Sequence, residues 1–428
     1  MPAGLWVRSR GPTHDLEACV SAPNVLFVAI DSLRADAFFG DHIATPNFDA
    51  LVGSGAAFRQ CVSTTTSTTP SFSSMLTGCY PPRHGVRGLQ GYRLSPSLQT
   101  LAEAFTASGY ETHAEVTGPL VPETGVLRGF GEANHRPGYK VKPFGWRDDV
   151  LHRMRSYQKP WLMLLHTWEV HRPYRPPPDY VRRWDRAGYE AMVTMTDEQL
   201  APLIEACGDD TIVVVTGDHG EEYANTRLGQ KFQRAATKAR KKFKLSQWLP
   251  VLDQKFASLQ LGHGFALWEH LVRVPLVLHG PGIPSIAVDD QVRHIDLFPT
   301  LVDLCGVKTT NAPDGRSLRP LLQRKPLVEE PAYMEAVGVK LEGDRITAVR
   351  TPEWKLMKRG DKTMLYRLDG GASPDEKHNV IARHPEVARH LEAVLEKVTA
   401  AEHPSDGSGM TESEEAVVEQ HLRDLGYL

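Results

Sequence analysis

The chain has 428 residues, of which 41% are hydrophobic and 24% are charged, and its formal net charge is −3 at pH 7. Single hydrophobic cores stop growing at about 250 to 300 residues, so we expect one large domain and one smaller domain. The composition is typical of a soluble globular protein. The small net charge excludes a general attraction of the whole chain to nucleic acid.

Neither the cysteines nor the apolar segments indicate an exported or membrane-spanning protein. The five cysteines are scattered and form no Cys-x-x-Cys pair, which argues against a disulfide framework and a zinc knuckle and favours a reducing compartment. Residues 1–23 contain charged side chains and no apolar signal-peptide core, and no later segment approaches eighteen uninterrupted apolar residues. These features predict a cytoplasmic protein with no transmembrane segment.

The first predicted strand ends in a carboxylate. Residues 24–30 form a continuous apolar run, typical of a strand buried on both faces of a parallel sheet, and Asp31 follows directly. Open α/β sheets place their ligands at this carboxyl-terminal edge. A single aspartate here more often starts a turn or caps a helix, so Asp31 needs partners from elsewhere in the chain.

Residues 64–78 change from a hydroxyl-rich run into an apolar helix pattern. Residues 64–71 are all Ser, Thr or Pro, which suits capping residues and a proline in the first turn of a helix. The N-terminus of such a helix favours an anion. On its own the stretch is better explained as a Ser/Thr-rich surface turn.

Strands and helices then alternate as in a doubly wound α/β domain. The sequence predicts a helix over 97–109, a strand over 110–116, a helix over 148–157 and a strand over 159–166. His166 ends the last of these strands and His171 follows it. Each histidine taken alone is as well explained by a core or turn position as by a functional one.

The β-branched run 210–217 is the strongest strand pattern in the chain and ends in Asp218-His219-Gly220-Glu221. A carboxylate and an imidazole side by side after a strand are suitable ligands for a divalent metal ion. Asp218 and His219 are therefore candidate metal ligands.

Residues 225–262 form a basic insertion with interleaved aromatic and leucine residues, and His263-Gly264 ends it. One or two helices with a basic face are predicted. That face is either a solvated cover or a contact surface for an anionic substrate, a polyanion or a lipid headgroup.

The last hundred residues have a different pattern. Short antiparallel strands are predicted over 333–337, 348–350, 354–358 and 364–368, followed by helices over 385–401 and 410–428. We therefore predict an N-terminal extension over 1–23, a catalytic α/β domain over 24–328 and a C-terminal α+β subdomain over 329–428.

The polar residues that follow strands or open helices could meet at one sheet edge and form a hydrolytic site. A metal ion held by Asp31, Asp218 and His219 would lower the pKa of a bound Ser or Thr hydroxyl and create a nucleophile at neutral pH. A helix N-terminus and the histidines would hold the anionic group under attack.

The order and spacing of these motifs resemble the sulfatase family of the alkaline phosphatase superfamily over nearly the whole chain. The matching segments lie at residues 23–36, 45–51, 68–78, 80–86, 171–174, 216–221, 263–264, 273–276, 314–318 and 422–428. The resemblance implies an α/β/α sandwich with a large, mostly parallel sheet and a small C-terminal antiparallel sheet. It also implies a hydrolase acting on phosphoric or sulfuric ester bonds.

Two departures from the family pattern concern the nucleophile. In sulfatases the motif begins with a Cys or Ser that is oxidised to formylglycine and ends in Arg, whereas this chain has Thr68 and Phe72 at those positions. Threonine cannot become formylglycine. The chain therefore resembles superfamily members with an unmodified Thr nucleophile, which act mostly on phosphoryl groups. Cys79 starts a similar Cys-x-Pro-x-Arg pattern, but it falls after the Leu-Thr-Gly that should follow the nucleophile.

Other departures concern the metal and the anion. Ser32 replaces a second aspartate, no lysine stands near His263, and His219 replaces an asparagine that is common in calcium-dependent sulfatases. An imidazole ligand favours Mn²⁺ or Zn²⁺ over Ca²⁺. We therefore expect one divalent ion, Mn²⁺ or Zn²⁺ before Ca²⁺.

The residues and the resemblance together predict a metal-dependent hydrolase of phosphate mono- or diesters. Thr68 is the predicted nucleophile and, with Asp31, Asp218 and His219, a predicted metal ligand. His171 and His263 are predicted to bind the anion, and one of them to protonate the leaving group. The predicted partner is an anionic small-molecule ester.

Three alternatives stay open at this stage. The chain could hydrolyse sulfate esters without formylglycine, transfer phosphoryl or phosphoethanolamine groups, or be a catalytically inactive sulfatase-like binding protein. The missing Arg and Lys favour the inactive protein, whereas the complete set of ligand residues argues against it.

Overall fold

A computed structural model describes residues 22–136, 143–184, 188–223, 263–337, 345–368, 376–400 and 409–427. The predicted basic insertion and most of the predicted N-terminal extension lie outside these ranges. The strands are β1 (Asn24–Ile30), β2 (Ala56–Val62), β3 (Glu111–Val116), β4 (Glu132–His135), β5 (Trp161–Thr167), β6 (Thr211–Gly217), β7 (Arg273–His279), β8 (Ile286–Arg293), β9 (Ala332–Ala336), β10 (Ile346–Arg350), β11 (Trp354–Arg359) and β12 (Lys362–Arg367).

The described helices range from a single turn to five turns. They are α1 (Ala35–Phe39), α2 (Pro46–Ser54), α3 (Thr68–Thr77), α4 (Pro81–His84), α5 (Leu101–Ala107), α6 (Arg147–Met154), α7 (Pro178–Trp184), α8 (Gly188–Glu205), α9 (Glu269–Val272), α10 (Leu297–Leu304), α11 (Arg319–Leu322), α12 (Pro385–Ala400) and α13 (Glu412–Leu425). Within the described ranges, no helix is both long and apolar enough to cross a bilayer.

Eight strands form the large sheet in the order β4-β3-β5-β1-β6-β7-β2-β8. Strand β1 pairs in parallel with β5 and β6, whereas β7 runs antiparallel to both β6 and β2. Helices α3, α5 and α10 pack on one face, and α1, α2, α6 and α8 pack on the other. The predicted α/β/α sandwich with a mostly parallel sheet is confirmed.

The continuous apolar sequence of β1 follows from this layering. Val25 and Phe27 point into the core on one face, while Leu26, Val28 and Ile30 point into the core on the other, and all five are fully buried. A strand covered on both faces needs apolar residues at every position rather than at every second one. The same reasoning applies to β6.

The small C-terminal sheet has four antiparallel strands in the order β12-β11-β10-β9, as predicted. Its first strand contacts the loop before α3, because the Glu335 backbone N–H donates to the Thr64 carbonyl at 2.9 Å. The sheet therefore buttresses the Ser/Thr-rich stretch.

Several element boundaries differ from the sequence expectations for local physical reasons. Helix α5 begins at Leu101 rather than at residue 97, because Thr100 and Glu103 form a capping box that fixes the start. Helix α3 begins at Thr68, which makes the predicted nucleophile the first residue of the helix. Strands β2, β4 and β8 have mixed or polar sequences and were not predicted.

Candidate active site

The register of the central strands places two carboxylates side by side. Ile30 at the end of β1 pairs with Gly217 at the end of β6, so Asp31 and Asp218 follow at the same level. The Asp218 N–H donates to the Ile30 carbonyl at 3.3 Å, which continues the ladder past the strand ends. Both carboxylates are fully buried.

Ser32 ties these carboxylates together. Its backbone N–H donates to Asp218 Oδ1 at 3.0 Å, and its hydroxyl donates to Asp31 Oδ1 at 2.7 Å. The Tyr189 hydroxyl donates to the Ser32 carbonyl at 2.9 Å. Ser32 has a φ of 63°, a left-handed conformation that costs free energy in a residue other than glycine and is found most often at functional sites.

Thr68 points its hydroxyl into the same cluster. As the first residue of α3, it donates from Oγ1 to Asp31 Oδ2 at 3.2 Å. Ser67 precedes it but makes no side-chain capping bond, contrary to the capping expected from the sequence. The first N–H groups of α3 therefore keep the positive end of the helix dipole directed at this edge.

Ser71 fixes α3 against the end of β6, because its hydroxyl donates to the Asp218 carbonyl at 2.7 Å. One residue further on, the fully buried Phe72 ring meets the His166 ring edge to face, with 4.9 Å between centroids. The position that holds Arg in the sulfatase motif is therefore an apolar support for a histidine here.

Cys79 does not belong to the site. Its side chain is fully buried, and burial together with the nearby Asp314 carboxylate raises the pKa of the thiol to about 11. A thiol with such a pKa is a poor nucleophile at neutral pH.

Three histidines at this edge share one orientation. In each, Nδ1 lies close to a backbone carbonyl, which can only accept, so Nδ1 carries the proton and Nε2 is left with its lone pair. The contacts are His166 to Thr117 at 3.1 Å, His219 to Gly220 at 2.9 Å and His171 to Arg172 at 2.6 Å. Fixing the tautomer through Nδ1 is how proteins prepare Nε2 as a metal ligand.

Two of the Nε2 atoms face the carboxylates without a hydrogen-bond partner in the described part of the chain. His166 Nε2 lies 3.6 Å from Asp31 Oδ2, and His219 Nε2 lies 3.4 Å from Asp218 Oδ2. Asp218 Oδ2 is also unpaired. Buried polar atoms are normally paired, so this set of unpaired lone pairs points to a missing cation.

The donors fit a divalent metal ion. Ligand atoms of Asp31, His166 and Asp218 all lie within 4.8 Å of one another. Burial favours the neutral form of Asp31, but His171, His166 and His219 outweigh it and hold the pKa of Asp31 well below its ordinary value. Burial and the adjacent Asp31 charge raise the pKa of Asp218. A mixed nitrogen and oxygen set of this kind suits Mn²⁺ or Zn²⁺.

His166 was not assigned to the site from the sequence. The register of the sheet explains its position. His166 lies on β5 and pairs with Ala29 on the adjacent strand β1, two residues before Asp31. Sequence alone does not reveal which strands are neighbours.

A second group of charges lies against the first. His263 Nδ1 and Arg172 Nε both lie 3.5 Å from Glu221 Oε2, and Glu221 is fully buried. Burial opposes the charge on both partners, but their attraction prevails, so the pKa of His263 is raised and that of Glu221 is lowered to about 2. The His263 ring lies 4.2 Å from the His219 ring and 5.0 Å from the His171 ring.

Gly220, which follows His219, allows a close contact between the backbone of this turn and the backbone at His270. A Cβ on Gly220 would lie 1.9 Å from the His270 carbonyl oxygen, far inside van der Waals contact. The backbone of the Asp-His-Gly-Glu turn therefore approaches the segment after the insertion as closely as two chains can.

The structure brings all six predicted site residues to one edge of the sheet. They are Asp31, Thr68, His171, Asp218, His219 and His263. Sequence reasoning missed Glu221 as the partner of His263 and Arg172 as a second partner of Glu221. It also missed Tyr427, whose hydroxyl lies 3.0 Å from His171 Nε2.

Comparison with known proteins agrees with this architecture. The family pattern described as Sulfatase matches residues 23–307, and the pattern of the N-sulphoglucosamine sulphohydrolase C-terminal region matches residues 264–401. A ulvan-active sulfatase of Formosa agariphila is 24% identical, over 88% of this chain and 81% of its own length. An N-acetylgalactosamine-6-O-sulfatase of Bacteroides thetaiotaomicron is 22% identical, over 88% of this chain and 93% of its own length.

Among solved structures, a phosphonate monoester hydrolase of Agrobacterium radiobacter superimposes with a TM-score of 0.68 at 19% identity. The superposition covers 89% of this chain and 96% of that one. The fold is therefore shared by proteins that act on sulfate esters and on phosphonate esters.

Proposed function

Because the chain belongs to the sulfatase family and is thus an ester hydrolase, we propose that it cleaves phosphoryl esters, in a metal-dependent reaction, through Thr68. The observation that carries this proposal is the Thr68 hydroxyl, which stands where the family forms formylglycine and donates to Asp31 at 3.2 Å. Phosphate mono- and diesters and phosphonate monoesters belong to this substrate class.

The proposed metal ligands are Asp31, Thr68, Asp218 and His219, with His166 as a further donor. A divalent ion, Mn²⁺ or Zn²⁺ before Ca²⁺, would lower the pKa of the Thr68 hydroxyl and offset the charge of the ester. The unpaired Nε2 atoms and the unpaired Asp218 Oδ2 support this assignment.

The side chains of the site divide the chemical work. The Thr68 hydroxyl, oriented by Asp31 Oδ2 at 3.2 Å, gives its proton to water, and Thr68 Oγ1 attacks phosphorus while the bond from phosphorus to the leaving oxygen breaks. The N-terminal N–H groups of α3 hold the non-bridging oxygens. Water then attacks the phosphorus bound to Thr68, which restores Thr68 and releases phosphate from a monoester, a phosphate monoester from a diester, or phosphonate from a phosphonate ester.

The leaving oxygen needs a proton, and His263 is the proposed donor. Its Nδ1 faces the Glu221 carboxylate at 3.5 Å, which stabilises the imidazolium and directs Nε2 away from Glu221. His171 lies beside it and is the proposed second residue on the anion side.

The domain division and the insertion supply two smaller proposals. We assign catalysis to residues 24–328 and a supporting role to residues 329–428. The basic insertion 225–262 supports binding of an anionic substrate body or partner. Charge reversal at Lys241 and Lys242 is expected to raise KM or weaken binding, and an unchanged KM with unchanged binding would refute this role.

A second candidate function is sulfate ester hydrolysis without formylglycine. The names of the two relatives above, both sulfatases, favour it. A substrate panel separates the two functions, because the nucleophile is the same and only the ester differs.

The test uses metal-stripped protein with Mn²⁺, Zn²⁺ or Ca²⁺ added back singly. The panel contains p-nitrophenyl phosphate, bis-p-nitrophenyl phosphate, p-nitrophenyl phenylphosphonate and p-nitrophenyl sulfate. We expect turnover of at least one phosphoryl ester and a phosphate or phosphonate adduct on Thr68, seen by mass spectrometry after acid quenching. Thr68→Ala should lose at least about 10³-fold in kcat, as expected for a lost nucleophile.

Two variants serve as controls. Thr68→Ser keeps a hydroxyl and should retain measurable activity. Ser73→Ala loses only a bond to the Thr69 carbonyl within the same helix and should behave as wild type. Full metal-dependent activity in Thr68→Ala would refute the mechanism, and a clear preference for sulfate would support the second function. No turnover together with no stoichiometric metal would support a binding protein.

A further inference from the structure

The last helix of the chain packs beside the candidate site. Val418 and Leu422 of α13 are 2% and 1% exposed and pack with Leu89 and Val121 of the catalytic domain. A capping box between Thr411 and Glu414 fixes the start of the helix. The helix is therefore a built part of the domain surface rather than a loose tail.

A polar contact links α13 to the support of the metal-site histidine. His421 Nε2 lies 2.7 Å from the Gly118 carbonyl oxygen. The preceding residue, Thr117, provides the carbonyl that holds His166 Nδ1. Helix α13 thus contacts the same loop that positions His166.

The end of α13 turns the chain toward the site. Gly426 has a φ of 83° and closes the helix, and the Tyr427 N–H donates to the Leu422 carbonyl at 2.9 Å. This left-handed C-cap favours glycine because a side chain there is strained. The turn presents the next side chain, Tyr427, sideways from the helix axis.

Tyr427 lies between the Trp168 ring and His171. Its ring is parallel to that of Trp168, with an interplanar angle of 2° and 6.4 Å between centroids, and its hydroxyl lies 3.0 Å from His171 Nε2. Since His171 Nδ1 donates to the Arg172 carbonyl, Nε2 accepts and the phenol donates. Burial and the charges of Asp31, Asp218 and Glu221 raise the pKa of the phenol, so that it stays protonated as this bond requires.

We propose that Tyr427 is a positioning residue of the active site, which holds the His171 imidazole in its working orientation. The inference rests on the proposed function in one respect, namely that His171 meets the substrate. Without the phenol, the imidazole of His171 keeps only the Nδ1 hydrogen bond among the described residues, and its ring is less firmly held. Partners that orient a metal-bound histidine typically contribute about 10- to 100-fold, and we expect an effect of that size for the orientation of His171.

The test compares Tyr427→Phe with Tyr110→Phe in the full-length, metal-loaded protein. Tyr110 is buried, whereas Tyr427 is partly buried; Tyr110→Phe also removes a hydroxyl, but one that donates to the Pro23 carbonyl at the opposite end of the sheet. We expect kcat/KM to fall about 10- to 100-fold for Tyr427→Phe through kcat more than KM. The melting temperature should not change, and Tyr110→Phe should keep wild-type kinetics.

A second measurement needs no turnover. In protein labelled with ¹⁵N-histidine, the His171 Nε2 resonance should move toward the value of a neutral nitrogen without a hydrogen bond in Tyr427→Phe, and stay unchanged in Tyr110→Phe. Deleting residues 427 and 428 should give the same shift if Tyr427→Phe folds poorly. An unchanged resonance, or an unchanged kcat/KM in an active enzyme, would overturn the positioning role. Wild-type protein inactive on every ester would instead count against the proposed function, while the resonance would still decide the role of Tyr427.

Discussion

Two buried polar clusters in this molecule differ in how completely their atoms are paired. In the candidate site, Asp218 Oδ2 and the Nε2 atoms of His166 and His219 have no partner within the described residues. In the cluster between the two sheets, Glu269 accepts from Arg350 Nε at 3.0 Å and from Lys355 Nζ at 3.1 Å.

Every charged side chain of the cluster between the sheets has a partner. Lys355 is fully buried and also donates to Glu376 at 2.8 Å, and Arg350 also donates to Gln291 at 2.6 Å. Buried charges cost little only when every one is paired and hydrogen-bonded, and such clusters hold elements together. Unpaired buried groups are kept where a ligand completes them. The comparison therefore separates a structural cluster from a functional one. Mutations in the candidate site should lower activity but not stability, and mutations in the cluster between the sheets should lower stability but not activity.

The largest expected effect is that of Asp218→Asn. The Asn Oδ1 can still accept from the N–H groups of Ser32 and His219, at 3.0 and 2.7 Å in the wild type, so the backbone should not move. The second carboxylate charge is lost, and we expect activity to fall by at least about 10³-fold together with metal binding. Kinetics and metal analysis of the purified protein measure both.

The stability of the metal-free Asp218→Asn protein sharpens the comparison. Removing one of two adjacent like charges should raise its melting temperature by about 1 to 3 °C. The increase in melting temperature that the metal gives the wild type should disappear. A lower melting temperature without metal would mean that the carboxylate pair is structural, like the cluster between the sheets.

The next effect in size is that of Glu269→Gln. The amide has the same shape but leaves Arg350 and Lys355 without their shared countercharge, which should cost about 3 kcal/mol of unfolding free energy. The activity of the folded fraction should stay at the wild-type value. Asp289→Asn is the matched control, because its pair with Arg59 is exposed and 3.6 Å long, and the denaturation midpoint should not change. Loss of activity without loss of stability in Glu269→Gln would contradict the structural assignment.

The sequence predicted those strands and helices that local sequence patterns determine. The fully apolar β1, the start of the helix at the Ser/Thr-rich stretch and the four C-terminal strands all depend on short segments and their neighbours. Strand β8 was missed because Asp289 and Asp290 interrupt its apolar pattern, as is common at a sheet edge. Such a strand is defined by its pairing with β2, which the sequence does not display.

The sequence predicted the site residues that follow strands, open a helix or match a family motif. Asp31 and Asp218 follow obvious strands, and the rule that ligands collect at the carboxyl-terminal edge brings them together. The roles of His166 and Tyr427 depend on contacts between segments far apart in the chain, 135 residues for Asp31 with His166 and 256 for His171 with Tyr427. No local pattern contains that information.

The smallest expected effect is the pH dependence of the Glu269 contribution. Burial favours a neutral carboxyl, but Arg350 and Lys355 outweigh it and hold the pKa of Glu269 well below its ordinary value of 4.5. A carboxyl whose pKa is lowered by folding stabilises the protein above the unfolded pKa, and this contribution is lost as pH falls toward the folded pKa. The difference in unfolding free energy between wild type and Glu269→Gln should therefore be constant from pH 7 to about 5 and shrink below about 4.5. Urea denaturation of both proteins at each pH measures it. A difference that persists undiminished on acidification would show that Glu269 acts by shape and hydrogen bonding rather than by charge.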